Sequence, residues 1–582
     1  MKKLLSALLL FIVSCGGHAT VYFPAYITPA TSYATVADLE AARLAIITAK
    51  QAAWAATPLP DTSPSDPNSQ NMTGVVRHYC DCGTGSSVNC VAGNDSTGDG
   101  TDTNPYQTIG AATTWLSNSS SAGDTVALCK GGAFLTATTL SIGSSHCLTN
   151  STCNDLREYA SPVFTSSAKP IIQETNSAAQ LFHSSHSYEK GVRFLNLHFK
   201  GVSGGAAAHR VAQIDTAGGN ISFYNDDIDY FTQAIYIETG AGMIYNVNIE
   251  ANNFSNNSDF GILATSGNSS YSWNYMVNNG SNTGLNHAIY NGSQIDAPNL
   301  TQQGNYITGY YHDGIATHCS GTAWVSHASA TNWIIKDNVV DIASGDANGA
   351  CYGMAFSNNT QNGNPVYYDS STFSGNIIIN GGQNPLMVSG CTYCFIENNV
   401  VINDYAGGGI VGIDIPNTYN RGADHTSTNN TIRNNTVIYT SSILTGHTDN
   451  IGIRVDKEGT GHVIANNVVY NAQTSGTFQC FSYGLALTAY TFIDNNDCYS
   501  ASSANWEQSR SESLAAWQST ATAYGFDAHS TTSNPAFTNI ATYDLHPTGA
   551  PLSGGGNNTN KSTLDILGNT RPNPPAIGAY EP

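Results

Sequence analysis

The chain has 582 residues and a formal net charge of −21, from 20 Lys and Arg against 41 Asp and Glu. This balance excludes a nucleic-acid-binding protein, which needs a basic surface. Extensive disorder is excluded as well, because 40% of the residues are hydrophobic and 10% are aromatic. Charged residues make up only 10% of the chain, against roughly 25% in an average protein. The largely uncharged polar surface suits a sugar ligand, and it equally suits a plain low-charge sheet.

The N-terminus is typical of an export signal. Two lysines precede an apolar run over residues 4–13, which is too short to span a bilayer. The following Ile-Val-Ser-Cys resembles a bacterial lipobox, which would make Cys15 the lipidated first residue of the mature chain. The alternative is ordinary cleavage after Ala19. We expect residues 1–19 to be a lipoprotein-type signal, and the protein to be anchored to the outer membrane or secreted.

Export permits disulfides, and an even number of the 13 cysteines remains once Cys15 is set aside. Cys391 and Cys394 have the CxxC spacing of redox and zinc sites. No second CxxC and no matching histidine pair completes a zinc motif. We therefore expect a disulfide between these two cysteines, or two separate disulfides.

The segment before residue 95 predicts a helix and a linker. Residues 37–56 are rich in Ala and free of Gly and Pro, which favours a helix. Pro, Ser, Asp and Asn dominate residues 58–71, which indicates a linker. Residues 20–94 are therefore assigned to an N-terminal helix and a cysteine-containing linker.

Residues 100–126 carry a recognisable combination of motifs. Gly-Thr-Asp-Thr-Asn-Pro-Tyr-Gln-Thr-Ile begins at Gly100, a short helical stretch follows through Leu116, and Gly-Asp-Thr-Val begins at Gly123. This order resembles the N-terminal segment of pectate-lyase-like β-helix proteins. The resemblance implies that the helical stretch caps the first coil and that Gly-Asp-Thr-Val opens the first strand.

From about residue 190 to 498 the chain repeats an Asn followed by two apolar residues. The intervals lie between 20 and 50 residues, which is typical of a solenoid. We predict an all-β fold, a right-handed single-stranded parallel β-helix over residues 95–500, with short N-terminal helices. Asn tolerates a left-handed backbone at a turn, and stacked Asn side chains can form an amide ladder, while the apolar residues are expected to point inward. The copies are Asn253, Asn305, Asn338, Asn376, Asn399, Asn435 and Asn467, with Asn196, Asp227, Asn274 and Asn496 as looser matches.

A second repeated strand begins with Gly or Ala and an inward apolar residue. Because strand side chains alternate, the next residue should point outward. The predicted outward column passes through Tyr236, Tyr290, Ala316, Arg454 and Ala486. The copies lie at residues 234–237, 261–264, 288–290, 314–317, 353–356, 452–455 and 484–487.

After residue 500 the repeat stops. Residues 506–521 have a helical pattern, and Gly-Phe-Asp-Ala-His-Ser at Gly525 leads to Ile-Gly-Ala-Tyr-Glu near the C-terminus. This ending, over residues 501–582, resembles the C-terminal segment of bacterial surface β-helix proteins. Tyr-Gly-Phe-Asp-Ala-His also resembles the Tyr-Gly-Phe-Asp-Pro-His site of alginate epimerases. Ala528 replaces the Pro and Ser530 replaces the following Glu, so a structural role is the better interpretation.

The densest group of chemically useful side chains lies in the middle coils. Adjacent coils stack about 4.8 Å apart, so His287 is expected beside Asp313, and Tyr290 beside Ala316. A lyase needs a base, an acid and a cation or metal that neutralises the substrate carboxylate. The alternatives are histidines that bond backbone in turns, or a metal site. The predicted catalytic residues are His287, Tyr290, His312 and Asp313, and the predicted substrate-binding residues are Tyr236, Glu238, His318 and Arg454.

Pectate-lyase relatives often use Lys or Arg as the base together with calcium-binding Asp residues. The charged candidates here match no family motif in spacing, so solvated positions on the coils are the simpler interpretation, and calcium is a possible cofactor. They are Lys336, Arg454 and Lys457, with Asp226, Asp227, Asp229, Asp337, Asp341 and Asp456. The fold also resembles polygalacturonases, but the clustered Asp pairs of those hydrolases are missing.

Two functions follow from these patterns. One is a polysaccharide lyase that cleaves an acidic glycan by β-elimination. The other is a noncatalytic glycan-binding or adhesive surface protein. The net charge of −21 opposes an anionic substrate unless calcium helps to hold it.

Overall fold

The structure, a computed structural model, describes most of the chain. The described residues are 34–56, 75–118, 123–142, 154–176, 180–184, 191–202, 209–214, 220–237, 244–264, 266–280, 287–292, 297–309, 322–342, 352–356, 367–404, 409–415, 426–440, 450–455, 459–474, 477–508, 511–549 and 552–582. The predicted export signal and the predicted lipidation site Cys15 lie outside them. Among the described residues, no helix is both long enough and apolar enough to cross a membrane.

Three long parallel sheets build the molecule, and from residue 125 onward each coil contributes one strand to each of them. Sheet 1 contains Val76–Tyr79, Thr125–Cys129, Asn154–Tyr159, Val192–Leu195, Ser222–Tyr224, Asn248–Glu250, Ser269–Ser272, Leu300–Gln303, Ile334–Lys336, Thr372–Ser374, Phe395–Glu397, Thr431–Arg433, His462–Ala465 and Tyr490–Asp494. Sheet 2 contains Ala133–Thr136, Ile171–Glu174, His198–Lys200, Asp227–Asp229, Asn253–Ser255, Tyr275–Val277, Tyr306–Thr308, Val339–Asp341, Ile377–Ile379, Val400–Asn403, Thr436–Tyr439, Val468–Asn471 and Asp497–Ser500. Sheet 3 contains Leu140–Ser141, Phe182–Ser184, Ala212–Ile214, Gln233–Ile237, Phe260–Ala264, His287–Asn291, Thr322–Ser326, Tyr352–Phe356, Asn384–Val388, Val411–Asp414, Ile451–Arg454, Thr477–Ser482 and Ser503–Glu507.

Because every neighbouring pair in these sheets is parallel, each coil must return to the same starting edge. Parallel crossovers of this kind are right-handed, since a right-twisted strand packs back onto its sheet in that sense. The predicted right-handed parallel β-helix is therefore confirmed. The remaining strands form three short accessory sheets. Two are parallel: one contains Ala297–Pro298, Ala330–Thr331, Tyr368–Asp369 and Cys391–Thr392, and the other contains Ile244–Tyr245 and Ser266–Gly267. The third is an antiparallel pair of Phe537–Asn539 and Asp544–Pro547.

The described helices are few and lie outside the repeated coils or at their ends. The helix predicted over residues 37–56 is α1, Val36–Ala55, and the predicted capping helix is α2, Ile109–Asn118. The helical pattern over 506–521 is only partly correct, because α3 spans Leu514–Ala521 and Trp506 belongs to a strand of sheet 3. Single 3-10 turns lie at Leu487–Ala489, Thr522–Tyr524 and Ile540–Thr542.

Left-handed residues recur at five-residue steps within the coils, as at Asn220, Asn225 and Tyr230. Asn225 and Tyr230 directly follow the short strands Ser222–Tyr224 and Asp227–Asp229, where the chain turns out of the sheet. Asn is frequent at these steps because its side chain tolerates a positive φ.

The Asn ladder exists, but one residue later than the left-handed step. Each ladder Asn donates from Nδ2 to Oδ1 of the next at 2.9–3.0 Å, and donates also to a main-chain oxygen of the preceding coil. The predicted positions Asn253 and Asp227 are wrong, because Asn252 and Asp226 occupy the ladder. The ladder amides are Asn252, Asn274, Asn305, Asn338, Asn376, Asn399, Asn435, Asn467 and Asn496.

The apolar residues that follow the ladder do not all point inward. Val340 faces the interior of the solenoid, whereas Val339 faces outward and is buried against other parts of the chain. The outward cover is α1 together with the C-terminal segment, in which Tyr580 and Leu545 pack on the same surface. Sheet 2 is therefore apolar on both faces over its central coils.

Several polar contacts fasten α1 along the edge between sheets 1 and 2. Buried Arg43 donates to the carbonyl oxygens of Asn338 at 3.2 Å and Gly375 at 2.6 Å. Lys50 bonds Glu250 at 2.5 Å, and Trp54 stacks on Tyr224 with centroids 4.0 Å apart.

The C-terminal segment continues along the same edge. Arg571 pairs with Glu581 inside it and donates to Oδ1 of Asn398 at 2.8 Å. The side-chain oxygens of Asn434 and Asn466 accept main-chain N–H groups of the segment, at 2.9 Å from Ser562 and 2.6 Å from Asn557. The ending that resembles surface β-helix proteins thus acts as a strap on the last coils.

Four disulfides lie among the described cysteines. Cys80–Cys129 joins the N-terminal segment to the first coil, Cys82–Cys90 closes a short loop within that segment, and Cys480–Cys498 lies near the end of the solenoid. Cys391 and Cys394 form the predicted disulfide, fully buried in one coil.

Candidate functional site

Sheet 3 carries two columns of side chains in register, which we call the Tyr236 column and the His287 column. Coil after coil, the member of the His287 column lies three residues before the member of the Tyr236 column. We call the part of both columns from Arg210 to Met387 the strip. The Tyr236 column there is Gln213, Tyr236, Leu263, Tyr290, Val325, Ala355 and Met387, and the His287 column includes Arg210, Gln233, Phe260, His287 and Tyr352.

Close packing between neighbouring coils explains why these strands recur with Gly or Ala at the second position. A Cβ on Gly353 would lie 2.5 Å from the carbonyl oxygen of Pro385, and one on Gly452 would lie 2.6 Å from that of Cys480. The backbone of the next coil passes too close for a larger side chain. The close approach fixes the register that places the two columns side by side.

Two predicted copies of this strand are wrong. Tyr290 pairs with Val325, not Ala316, because the strand after His287–Asn291 is Thr322–Ser326. Its register also puts residue 322, not Asp313, opposite His287. Arg454 pairs with Ser482, so Ala486 does not belong to the column.

Aromatic rings dominate the middle of the strip. Phe260 stacks on Tyr290 with centroids 5.5 Å apart, and the His287 and Tyr290 rings are 5.4 Å apart. His327 meets the edge of Tyr290 at 5.9 Å, and Tyr352 packs with Val325, Ala355 and Met387. Tyr290 is half-buried, whereas His287 is only 5% exposed. The rings of His287 and Tyr290, both predicted site residues, therefore lie together, and Tyr290 is the more exposed of the two.

A cation lies at the N-terminal end of the strip, and sequence reasoning missed it. The guanidinium carbon of Arg210 lies 3.7 Å from the ring centroid of Tyr236. Arg210 donates to Oε1 of Gln233 at 2.7 Å and to Oε1 of Gln213 at 2.5 Å. Gln233 also hydrogen-bonds Asp259, whose pKa burial raises. The segment Arg-Val-Ala-Gln-Ile, residues 210–214, aligns with Gln-Ala-Ile-Tyr-Ile, residues 233–237, one coil later. Aligning these two segments would have placed Arg210 on this face from the sequence alone.

Arg454, predicted to bind substrate, lies further along the Tyr236 column and is engaged by Asp414. Its Nε and a terminal nitrogen contact the two carboxylate oxygens at 2.7 Å and 2.6 Å. Asp414 is fully buried. A buried carboxylate held by a bidentate guanidinium is a structural ion pair, because removing either partner would leave the other charge buried without compensation.

Four predicted site residues, Glu238, His312, Asp313 and His318, lie outside the described residues, as do Asp456 and Lys457. The other charged candidates are on different faces of the solenoid. Lys336 is in sheet 1, and Asp227, Asp229 and Asp341 are in sheet 2. None of these four can reach a ligand on sheet 3.

Among the described residues of the strip, no three His, Cys, Asp or Glu side chains bring ligand atoms within 4.8 Å of one another. In the whole described part of the chain, only Cys80, Cys82 and Cys90 bring three such atoms that close. These three are disulfide-bonded and offer no thiolate.

The motif that resembles an epimerase site has structural contacts instead. Asp527 is fully buried, and its Oδ2 accepts from the indoles of Trp506 at 3.2 Å and Trp517 at 2.7 Å. Burial raises the pKa of Asp527 to about 6. Ser530 accepts the N–H of Asn496 at 2.9 Å, so this segment caps the end of the Asn ladder.

Comparison with known proteins gives similarity in structure and none in sequence. No protein-family model matches the chain, and no curated protein sequence matches it. Similar solved structures include the Dettilon tailspike protein, at TM-score 0.39 and 14% identity, with 71% of this chain and 66% of that chain covered. The mannuronan C-5 epimerase AlgE6 A-module of Azotobacter vinelandii has TM-score 0.39 and 13% identity, with 69% and 95% covered. Pectate lyase Pel9A has TM-score 0.35 and 12% identity, with 88% and 98% covered.

Proposed function

We propose that this protein acts on a polysaccharide that lies along the strip on sheet 3. The observation that carries the proposal is the row of half-buried rings at Tyr236, Tyr290 and Tyr352, spaced by small multiples of the coil repeat of about 4.8 Å. Phe260, which is only 8% exposed, supports the row by stacking on Tyr290. Aromatic side chains hold sugar rings through their apolar bodies. Because the columns run along the solenoid axis, a ligand that contacts several rings must run along that axis too.

The chemistry that we propose is β-elimination on an acidic glycan. A base removes the proton beside the uronic carboxylate, a double bond forms between that carbon and its neighbour, and the glycosidic oxygen leaves with a proton from an acid. His287 and Tyr290 supply these two proton-transfer groups. The two rings lie 5.4 Å apart, and the half-buried tyrosine is the more exposed of the two groups.

A defined panel tests this function. Pectate, alginate, hyaluronate and neutral glucans are incubated with the protein, with and without calcium, and unsaturated product is followed by its ultraviolet absorbance. We expect cleavage of at least one acidic member. Tyr290→Phe should lower kcat about 100-fold or more, because general acid–base groups contribute about 10²–10⁴-fold. Tyr393→Phe, an exposed tyrosine beside sheet 1, is the matched control and should keep full activity.

The second candidate function is noncatalytic glycan binding. The 5% exposure of His287 favours it, since a covered imidazole reaches substrate only after neighbouring groups move. Binding without any product from the whole panel would establish this alternative. If the protein neither binds nor cleaves any glycan of the panel, the proposed function is contradicted altogether.

A further inference from the structure

The outer face of sheet 1 presents large apolar side chains to the solvent. Ile334 and Phe395 are each 40% exposed, and Tyr393, two residues before Phe395, is 60% exposed. The outer face of sheet 2 differs, because α1 and the C-terminal segment cover its apolar side chains. Exposed apolar side chains that are grouped on one face mark an interaction surface, whereas single scattered ones do not.

The strand register arranges the exposed residues of sheet 1 in two columns. Ile334 pairs with Thr372, and Thr372 pairs with Phe395 in the following coil. A second column lies two residues further along each strand and on the same face, and its two ends carry opposite charges. We call six residues of these columns the sheet 1 patch. The first column is Ile334, Thr372 and Phe395, and the second is Lys336, Ser374 and Glu397.

Both charges of the sheet 1 patch can accept a further partner. Among the described residues, Lys336 has no ion-pair partner. Arg433 donates to Oε2 of Glu397 at 2.7 Å, and within the described part of the chain no hydrogen bond reaches Oε1. Lys336 and Glu397 lie two coils apart, about 10 Å at 4.8 Å per coil, so they do not pair within one chain.

We propose that the sheet 1 patch binds the same patch of a second copy of this chain, in an antiparallel dimer. The two-fold axis passes through the central coil of the patch, parallel to its strand. Such an axis reverses the order of the coils and sets each column against its own counterpart. Ile334 then faces Phe395 of the second copy. Lys336 faces Glu397 of the second copy, and symmetry forms this ion pair twice. The hydroxyl residues at the centre meet their own copies, where each can donate and accept.

The charges select the coil of Thr372 as the centre. An axis one coil later, through Phe395, would set Glu397 against its own copy. An axis one coil earlier, through Ile334, would set Lys336 against its own copy. Like charges that face each other across an interface repel. Of these three axes, the one through Thr372 is the one that brings opposite charges together.

The size of the face predicts a weak dimer. The five coils from Thr301 to Thr431 extend about 24 Å, and a five-residue strand is about 16 Å long. Their product is about 400 Å² per partner, against about 800 Å² in an interface of standard size. The net charge of −21 on each copy also opposes association. The dimer should therefore form at high protein concentration, and it leaves the strip on sheet 3 outside the interface. The inference does not depend on the proposed function.

Sedimentation equilibrium at increasing protein concentration tests the dimer through charge reversals. We expect the average mass of the unaltered protein to rise towards that of two chains. Lys336→Glu and Glu397→Lys should each weaken association about tenfold or more, because each sets like charges against one another. An equimolar mixture of the two variants should associate as well as the unaltered protein, since both ion pairs of the mixed dimer again join opposite charges. Ile334→Thr, which keeps a β-branched residue in the strand, should also weaken association.

Lys200→Glu is the matched control, because it makes the same change of charge on the outward face of sheet 2. It should associate like the unaltered protein, and thermal melting checks that every variant folds. Glu397→Lys separates the contact from the net charge. It changes one residue from −1 to +1 and so lowers the net charge from −21 to −19, which would strengthen association if general repulsion alone decided it.

Three results would overturn the dimer. The first is the mass of one chain at every concentration, and the second is unchanged association of both charge variants. The third is a mixture of the two variants that associates no more tightly than either variant alone.

Discussion

Asp226 begins the Asn ladder with a carboxyl group where the other positions carry an amide. Its N–H donates to Oδ1 of Asn252 at 2.8 Å, and its Oδ1 accepts the N–H of Leu197 at 2.8 Å. Its Oδ2 is buried without a partner. In the next coil, Nδ2 of Asn252 donates to the carbonyl oxygen of Phe223 at 3.0 Å, and only a protonated carboxyl could copy that bond. Burial accordingly raises the pKa of Asp226 well above its ordinary value.

Replacing this group by the ladder amide should stabilise the protein at neutral pH. Because the folded-state pKa is raised, Asp226 is favourable below the ordinary carboxyl pKa and becomes costly as pH rises above it. We expect Asp226→Asn to gain about 1–3 kcal/mol at pH 7–8, the cost of one unsatisfied buried group, and to gain nothing near pH 3. Thermal melting at both pH values measures this. Asp227→Asn, which loses a half-buried ion pair with Lys169, is the neighbouring control and should not raise the melting temperature.

At the scale of single elements, α1 is attached through an interface rich in carboxyl groups. Glu40 of α1 has a buried Oε1 without a hydrogen-bond partner. Burial, and then the charge of Asp341 in sheet 2, raise the pKa of Glu40 to about 7, while Arg43 acts in the opposite direction. The pKa of Asp341 is in turn raised by burial and by the charge of Asp404. The phenols of Tyr306 and Tyr580 face the same cluster, and Tyr543 donates to Asp404 at 2.8 Å.

The attachment of α1 should therefore weaken as the solution becomes alkaline. A raised carboxyl pKa contributes stability below its ordinary value near 4.5, and that contribution is lost as pH rises through about 7. Hydrogen exchange of residues 36–55, corrected for the intrinsic effect of pH, should show lower protection at pH 8 than at pH 6. Glu40→Gln should abolish the difference. An equal fall in protection in the variant would show that another group is responsible.

At the scale of the whole molecule, the repeat predicted the solenoid, while the phase of the repeat was harder to find. Asn252 and Asn253 are adjacent, so the sequence alone does not distinguish the ladder position from the strand position. The five-residue steps between left-handed residues resolve the phase, and these become apparent only when several coils are compared.

The candidate site was predicted only in part, again because the sequence leaves the exact position of some strands open. Tyr236 and Tyr290 share one column of sheet 3 as expected, because alternation within a regular strand fixes which side chains share a face. His287 lies three residues before Tyr290, so alternation does not explain why their rings lie together. The next strand was misplaced because residues 314–317 and Thr322–Ser326 both have small and apolar residues, and loop lengths between coils vary. The cover on sheet 2 could not be predicted, since α1 lies hundreds of residues away from the strands that it buries.

The position of a bound glycan tests the central claim most directly. Crystals of the protein are soaked with the oligosaccharide that binds best in solution, and the site of the sugar density is determined. We predict sugar rings over Tyr236 and Tyr290, with the glycan running along the solenoid axis across several coils of sheet 3. A glycan bound on sheet 1 or sheet 2, or one that crosses sheet 3 parallel to its strands, would contradict the account.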